Sequence, residues 1–163
     1  MRSADHPKAV SKLYMPVSSE GQAGQVKSME TRLRASPLTQ EAKNLLVAEL
    51  YESYGLHAEA LELLSSLLKD YPSPAVWLMT GSVHLESGLP EQAIQAYNEA
   101  LVLAESIGDI SSAGEAHLGL ALAQKALGDE DLAAASMQNG ERLLKEVGAI
   151  QRLREVEAIL GGN

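Results

Sequence analysis

The residues that could carry out acid–base or metal chemistry are few and scattered in this chain of 163 residues. The four histidines stand at positions 6, 57, 84 and 117, and no His-Glu-x-x-His or similar ligand spacing joins them. We interpret His84 as a hydrogen-bonded histidine between packed helices and His117 as a helix-packing residue. The chain contains no Cys, which excludes a disulfide framework, a thiolate zinc site and a cysteine nucleophile.

The acidic triplet at 129–131 is the other candidate for a metal site. It follows Gly128 and opens a predicted helix, where acidic side chains interact favourably with the helix dipole, and no twelve-residue calcium loop follows it. The glycines are isolated rather than gathered into a phosphate-binding loop, and no serine stands in a nucleophile elbow. We therefore expect no catalytic residue, no metal, no cofactor and no enzymatic activity.

The composition strongly favours helices as the elements that position any site. Ala occurs 23 times and Leu 26 times, whereas Val and Ile together occur 14 times and Phe is absent. Ala and Leu lead the helix propensity scale, and β-branched and aromatic residues lead the strand scale. This balance excludes an all-β fold. The length suits one domain that buries about two-thirds of its unfolded surface.

The charge of the chain is strongly acidic and unevenly divided. The formal net charge is −9; residues 1–40 hold six Lys or Arg against three Asp or Glu, and residues 41–163 hold seven against nineteen. Such an acidic region disfavours nucleic acid as a partner and favours basic peptides or basic protein surfaces. The alternative is that the acidic residues only keep a helical protein soluble. No secretory signal or membrane span is visible, so we expect a soluble protein that is cytoplasmic by default.

Apolar periodicity and punctuation divide the chain into a series of helices. Residues 1–21 are predicted to form a flexible arm and residues 22–36 an N-terminal helix that ends before Pro37. The following helices are predicted at 40–53, 57–69, 74–87, 90–106, 112–127, 130–146 and 149–160. Ser73 and Pro74 indicate an N-cap and the first helical position, and residues 112–115 indicate a capping box.

Six of these helices form three pairs spaced 33 and 38 residues apart, which is typical of a helical solenoid. The pair that starts at Pro74 resembles the tetratricopeptide repeat family. The matching residues of this pair are Trp77, Gly81, Gly88, Ala93, Ile94, Tyr97, Ala100 and Leu101. Eight matches at fixed spacing make this a specific signal, although His84 and Thr80 stand where Tyr and Leu are usual.

The neighbouring pairs carry a weaker form of the same pattern. The first matches at Ala48, Tyr51, Gly55, Ala60, Leu61, Leu64 and Pro72, and the third at Leu118, Gly119, Leu122, Gly128, Ala133, Ala134 and Met137. The first has Asn44 in the Trp position; the third has Glu115 there and Gly140 in an Ala position. The resemblance implies an all-α, right-handed α-α superhelix with repeats at 41–73, 74–111 and 112–147, closed by a capping helix at 149–160.

The resemblance also implies a binding surface on the first helix of each pair. The corresponding groove residues are Leu45, Glu49, Glu52, Leu78, Ser82, Leu85, Glu86, Ala116, Leu120 and Ala123. None is a cation or Asn, which argues against the carboxylate clamp of chaperone-binding members. Apolar positions flanked by acids would suit a peptide or helical segment with apolar anchors and one or two basic residues.

This reading predicts a non-enzymatic protein-interaction scaffold. Replacement of Leu78 and Leu85 by Arg is then expected to abolish partner capture at a nearly unchanged melting temperature. Two alternatives remain open. The chain could be a self-associating structural module or a fragment of a larger multidomain protein, without a separate ligand, or its own terminal helix or tail could fill the groove.

Overall fold

The computed structural model describes residues 19–161, and within this range the chain forms eight α-helices and no strand. Their bounds are α1 Ser19–Arg34, α2 Gln40–Ser53, α3 His57–Asp70, α4 Pro74–Glu86, α5 Pro90–Ile107, α6 Ile110–Leu127, α7 Glu130–Glu146 and α8 Ile150–Gly161. The predicted all-α solenoid is confirmed. None of the described helices combines the length and apolar character needed to cross a membrane.

The N-terminal boundary differs from the prediction. Because α1 begins at Ser19, residues 19–21 belong to this helix and not to the predicted arm, while residues 1–18 of that arm lie outside the described part of the chain. The helix ends at Arg34, two residues before the predicted end at 36. The hydroxyl of Ser36 donates to the carbonyl of Leu33 at 2.6 Å, so the chain leaves the helix before Pro37.

Side-chain caps stand at the starts of α2, α4 and α6, and the cap of α6 differs from the predicted one. Ser73 caps α4 by accepting a hydrogen bond from the amide of Val76 at 3.4 Å, with Pro74 at the first helical position. The predicted capping box at 112–115 is wrong. Asp109 caps α6 instead by accepting from the amide of Ser112 at 3.0 Å, so α6 begins two residues earlier, at Ile110. The third helix pair therefore begins inside the segment assigned to the second repeat.

The core is divided into three clusters, each built by the two helices of one pair and the first helix of the next pair. The first cluster joins α2, α3 and α4 around Leu64 and Val83. The second joins α4, α5 and α6 around Tyr97, and the third joins α6, α7 and α8 around Leu118 and Leu144. No pair buries its apolar surface alone, so stacking of neighbours is what stabilises the solenoid.

Glycines allow the closest helix approaches. Tyr97 of α5 is 5% exposed, and a Cβ added to Gly81 of α4 would lie 2.6 Å from its Cε1 atom. A Cβ added to Gly119 of α6 would overlap the same ring. In the third pair, Gly140 stands where the family pattern has Ala. A Cβ added to Gly140 would lie 2.7 Å from Cδ2 of Leu118, so the glycine makes room for this leucine. Small and large residues are therefore complementary across the helix interfaces.

The two flanking helices differ in how firmly they pack. α8 packs on α6 and α7 and buries Val156 completely in the third cluster. Among residues 19–161, α1 packs on α2 alone, and the described buried residue of α1 is Val26, which is 6% exposed. One end of the solenoid is thus well covered, and the other is covered along one helix only.

Candidate peptide-binding surface

The ten predicted groove residues lie on α2, α4 and α6, but they differ sharply in burial. In α6, Ala116 and Ala123 are fully buried and Leu120 is 5% exposed. These three side chains belong to the core between helices and have almost no surface to offer a partner. Their burial leaves these three predicted groove residues of the third repeat without an accessible surface.

The leucines of the predicted groove are half-buried rather than free. Leu78 and Leu85 pack against the cluster of Tyr97 and Leu120, and Leu45 packs against the first cluster. An Arg at either position in α4 would place a charge against apolar side chains, which destabilises the fold. In place of an unchanged melting temperature, we therefore expect Leu78→Arg with Leu85→Arg to lower it.

The remaining groove residues form an acidic cluster between α2 and α4, which we call the acidic groove: Glu49, Glu52, Ser82 and Glu86. Burial raises the pKa of Glu52, and the nearby carboxylates of Glu86 and Glu49 raise it further. The hydroxyl of Ser82 and the imidazole of His57 act in the opposite direction. All four of these side chains therefore lie close enough to the carboxylate of Glu52 to influence its pKa.

Glu52 is incompletely satisfied within the described part of the protein. Its Oε1 atom is buried and has no hydrogen-bond partner there. A buried carboxylate oxygen without a donor carries a desolvation cost that a hydrogen bond from a cation would offset. The acidic groove thus has the electrostatic character of a site for a basic group.

Two residues that the sequence analysis did not assign to the groove border it. His57, the first residue of α3, has its Nε2 atom 3.4 Å from Glu86 Oε2, which forms an ion pair when the imidazole is protonated. The hydroxyl of Ser87 donates to the carbonyl of Val83 at 2.6 Å, and its oxygen lies 3.1 Å from His57 Nδ1. The only sequence signal for these contacts was their place at helix ends beside the groove positions.

The two other described histidines sit elsewhere in the helix packing. Burial lowers the pKa of His84, and its Nδ1 atom has no hydrogen-bond partner among the described residues, so the predicted hydrogen bond is wrong. Burial also lowers the pKa of His117, against the opposing effect of Glu105. Within residues 19–161, no three His, Asp or Glu side chains are grouped so that they could hold a metal ion.

The comparisons with known proteins agree with this architecture. Residues 48–110, which run from α2 into α6, match the family model of the tetratricopeptide repeat. This match covers 63 of the 163 residues, and over that part the chain resembles a tetratricopeptide repeat. The solved structures that resemble it include the crystal structure of MamA, with a TM-score of 0.59 and 20% sequence identity over 91% of this chain and 87% of that chain. No curated protein matches the sequence.

The structural similarity shows the fold alone. Repeats of this family form protein-interaction scaffolds and are generally non-enzymatic modules. The fold does not name a partner, since one fold serves many functions.

Proposed function

We propose that this solenoid binds a peptide or helical segment of a partner protein at the acidic groove, through a basic side chain of that segment. The single observation that carries the proposal is the carboxylate of Glu52, which is partly buried, lies near two other acids and has an unpartnered oxygen. The proposal limits the predicted groove to α2 and α4. Such a site would bind its partner without catalysing a reaction, which is the function of a scaffold.

Electrostatics favours a cation at this position. Three carboxylates lie close together, and the described ionic contact within the groove is that between Glu86 and His57. A Lys or Arg from a partner would reduce the repulsion among the acids and donate hydrogen bonds to Glu52. Charged groups of this kind contribute specificity and association rate more than bulk affinity.

Apolar contacts would supply the rest of the affinity. The half-buried side chains of Leu45, Leu78 and Leu85 keep part of their surface exposed along the same two helices. A helical segment with apolar residues at i, i+3 or i+4 could seat them on these leucines while its basic residue reaches the acidic groove. This combination matches the partner chemistry expected from the sequence.

The test starts from a random twelve-residue peptide library selected on the full chain. We expect the selected peptides to be enriched in Lys or Arg next to Leu, Ile, Met or an aromatic residue. Fluorescence anisotropy with one labelled selected peptide then compares the wild type with the double variant Glu49→Gln, Glu86→Gln. Both side chains are exposed, so the fold should persist while affinity falls about tenfold or more.

A matched control keeps the same change in net charge. Glu99→Gln with Glu146→Gln removes two exposed acids from α5 and α7, away from the acidic groove. This variant should bind the peptide like the wild type at physiological salt, where remote charges are screened. Equal losses in both double variants would show a general charge effect and would contradict a site at the acidic groove.

A further inference from the structure

A second opening lies on a different part of the solenoid, between α1 and α3. It is a cleft of about 560 Å³ with Tyr51 of α2 in its lining, bordered by Val26 on α1 and Glu59 on α3. A smaller opening of about 300 Å³ continues along the same helices to Arg34 and Ser66, and it shares Tyr51 and Glu59 with the first. We call the combined opening the α1–α3 cleft; it shares no residue with the acidic groove.

The lining of the α1–α3 cleft combines an apolar floor with a polar network and charged edges, which carry Lys27 on α1 and acidic residues on α3. Val26, Tyr54 and Leu56 contribute apolar surface. Tyr51 is held at the floor, where burial and then a hydrogen bond with Glu30 raise its pKa, and Glu30 pairs with Arg34 at 2.7 Å. On α3, the carboxylates of Glu59 and Glu62 border the cleft, and neither has an ion-pair partner among the described residues.

The chain itself supplies a segment of complementary chemistry beside this cleft. Residues 8–17, with the sequence KAVSKLYMPV, carry two lysines among six apolar residues and Pro16, and no acid. They connect to α1 at Ser19, and the cleft opens at Gln22, within the first turn of that helix. A segment tethered at the mouth of a cleft has a high effective concentration there, so weak contacts suffice to hold it.

The dimensions agree with this arrangement. Glu59 borders the cleft together with Gln22, and Ser66 lies seven residues further along α3, about 10 Å away at the helical rise. The six residues from 13 to 18 span at most about 20 Å when extended. A segment that turns back at Ser19 can therefore place Leu13 near Ser66, with Tyr14 and Met15 over the floor.

We infer that residues 8–17 dock into the α1–α3 cleft of their own chain, with apolar side chains on the Tyr51 floor and Lys12 beside Glu62. Such a strap covers the flank of α1, which among the described helices packs on α2 alone. It also places the basic end of the sequence against the acidic solenoid. The docked segment belongs to the same chain, so this inference does not depend on partner binding at the acidic groove.

Disulfide trapping in the full chain tests this placement, because the sequence has no native Cys. In the variant Leu13→Cys, Ser66→Cys, we expect mild oxidation to form an intramolecular disulfide, which requires Cα atoms within about 7 Å. The matched control is Leu13→Cys, Ser65→Cys. Ser65 is as exposed as Ser66 and adjacent to it on α3, but it does not border the cleft.

The outcomes are distinguished by the mass of the disulfide-linked product and by the rate at which the disulfide forms. Monomeric disulfide at Ser66 that forms at least tenfold faster than at Ser65 supports docking. Similar rates at both positions would overturn it. A disulfide-linked dimer would assign the cleft to a second copy and would also overturn the intramolecular strap.

A zero-length carbodiimide cross-link on the unmodified chain provides an independent measurement. Docking predicts a peptide link from Lys12 to Glu62, read by mass spectrometry. Links to Glu49 or Glu86 instead would place the segment in the acidic groove and contradict the inference. The absence of either set at a labelling level that modifies exposed carboxylates would contradict it as well.

Discussion

Tyr97 shows at the residue scale how this solenoid is held together. Its ring occupies the space left by two glycines, Gly81 on the helix before it and Gly119 on the helix after it. The side chain is 5% exposed and belongs to the second core cluster. Both glycines and the tyrosine are family-pattern positions, so the sequence could predict the close approach, although not that one ring meets both helices.

The Gly119→Ala variant tests this packing. The added methyl group overlaps the Tyr97 ring, and the rigid aromatic side chain cannot move without disturbing α4. We expect a loss of about 1–3 kcal/mol in the free energy of unfolding, measured by urea denaturation. Gly24→Ala is the control, since an added Cβ there meets nothing within 4 Å. It should instead stabilise α1 by up to about 1 kcal/mol, and equal effects of the two variants would refute the packing account.

Glu52 carries a cost that depends on pH. Because its pKa is raised in the folded chain from the ordinary 4.5, the folded state binds more protons than the unfolded state above that pH. Stability is therefore lost as the pH rises from about 4.5 through the raised pKa. Glu52→Gln should stabilise the protein at pH 7 and have little effect at pH 4, as measured by thermal melts. A pH-independent effect would show that Glu52 is not a buried charge.

At the scale of the helices, the acidic residues before α6 and α7 have different roles. Asp109 accepts a hydrogen bond from the Ser112 amide at 3.0 Å, whereas Asp129 makes no such bond. The sequence analysis placed the α6 cap at Ser112, because a Ser with Glu115 three residues later fits the capping-box pattern. This prediction failed because Ile110 and Ser111 extend the helix by about half a turn at its N-terminus. The path of the backbone, and not the capping pattern, decides which residue stands at the start.

Replacement of each of these two aspartates distinguishes the one that caps a helix with its side chain from the one that does not. Asp109→Ala should lower stability by about 1 kcal/mol at pH 7, and Asp129→Ala should be close to neutral. The Ser112 hydroxyl and amide lower the pKa of Asp109 below its ordinary 3.8. Its contribution is therefore present above pH 3.8 and is lost as the pH falls through the lowered pKa. An Asp109→Ala defect that persists in strong acid would contradict the capping role.

Across the whole molecule, the repeating pattern was the most predictable feature. Turn glycines such as Gly55, Gly88 and Gly128 take positive φ values at the helix ends where the pattern placed them. The groove was less predictable. Family positions indicate which face of a helix points inward, but not that the packing of α6 with its neighbours buries Ala116, Leu120 and Ala123. The spacing between helices is a property of the packed core rather than of any one repeat.

The separation of two surfaces is the main consequence of this packing. The acidic groove lies between α2 and α4, and the α1–α3 cleft borders the first helix. Both are at the N-terminal half of the solenoid, whereas the end of its C-terminal half is covered by α8, which packs on α6 and α7. Partner binding is therefore expected to involve the first two helix pairs.

The most direct measurement of this claim is a backbone amide NMR titration of the isotope-labelled full chain with a library-selected peptide. The account predicts shifts concentrated in the last turns of α2 and α4, from Glu49 to Ser53 and from Ser82 to Ser87. These shifts should be lost in Glu49→Gln, Glu86→Gln and kept in Glu99→Gln, Glu146→Gln. Shifts centred on α5 and α7, or unchanged in the groove variant, would contradict the acidic groove as the binding site.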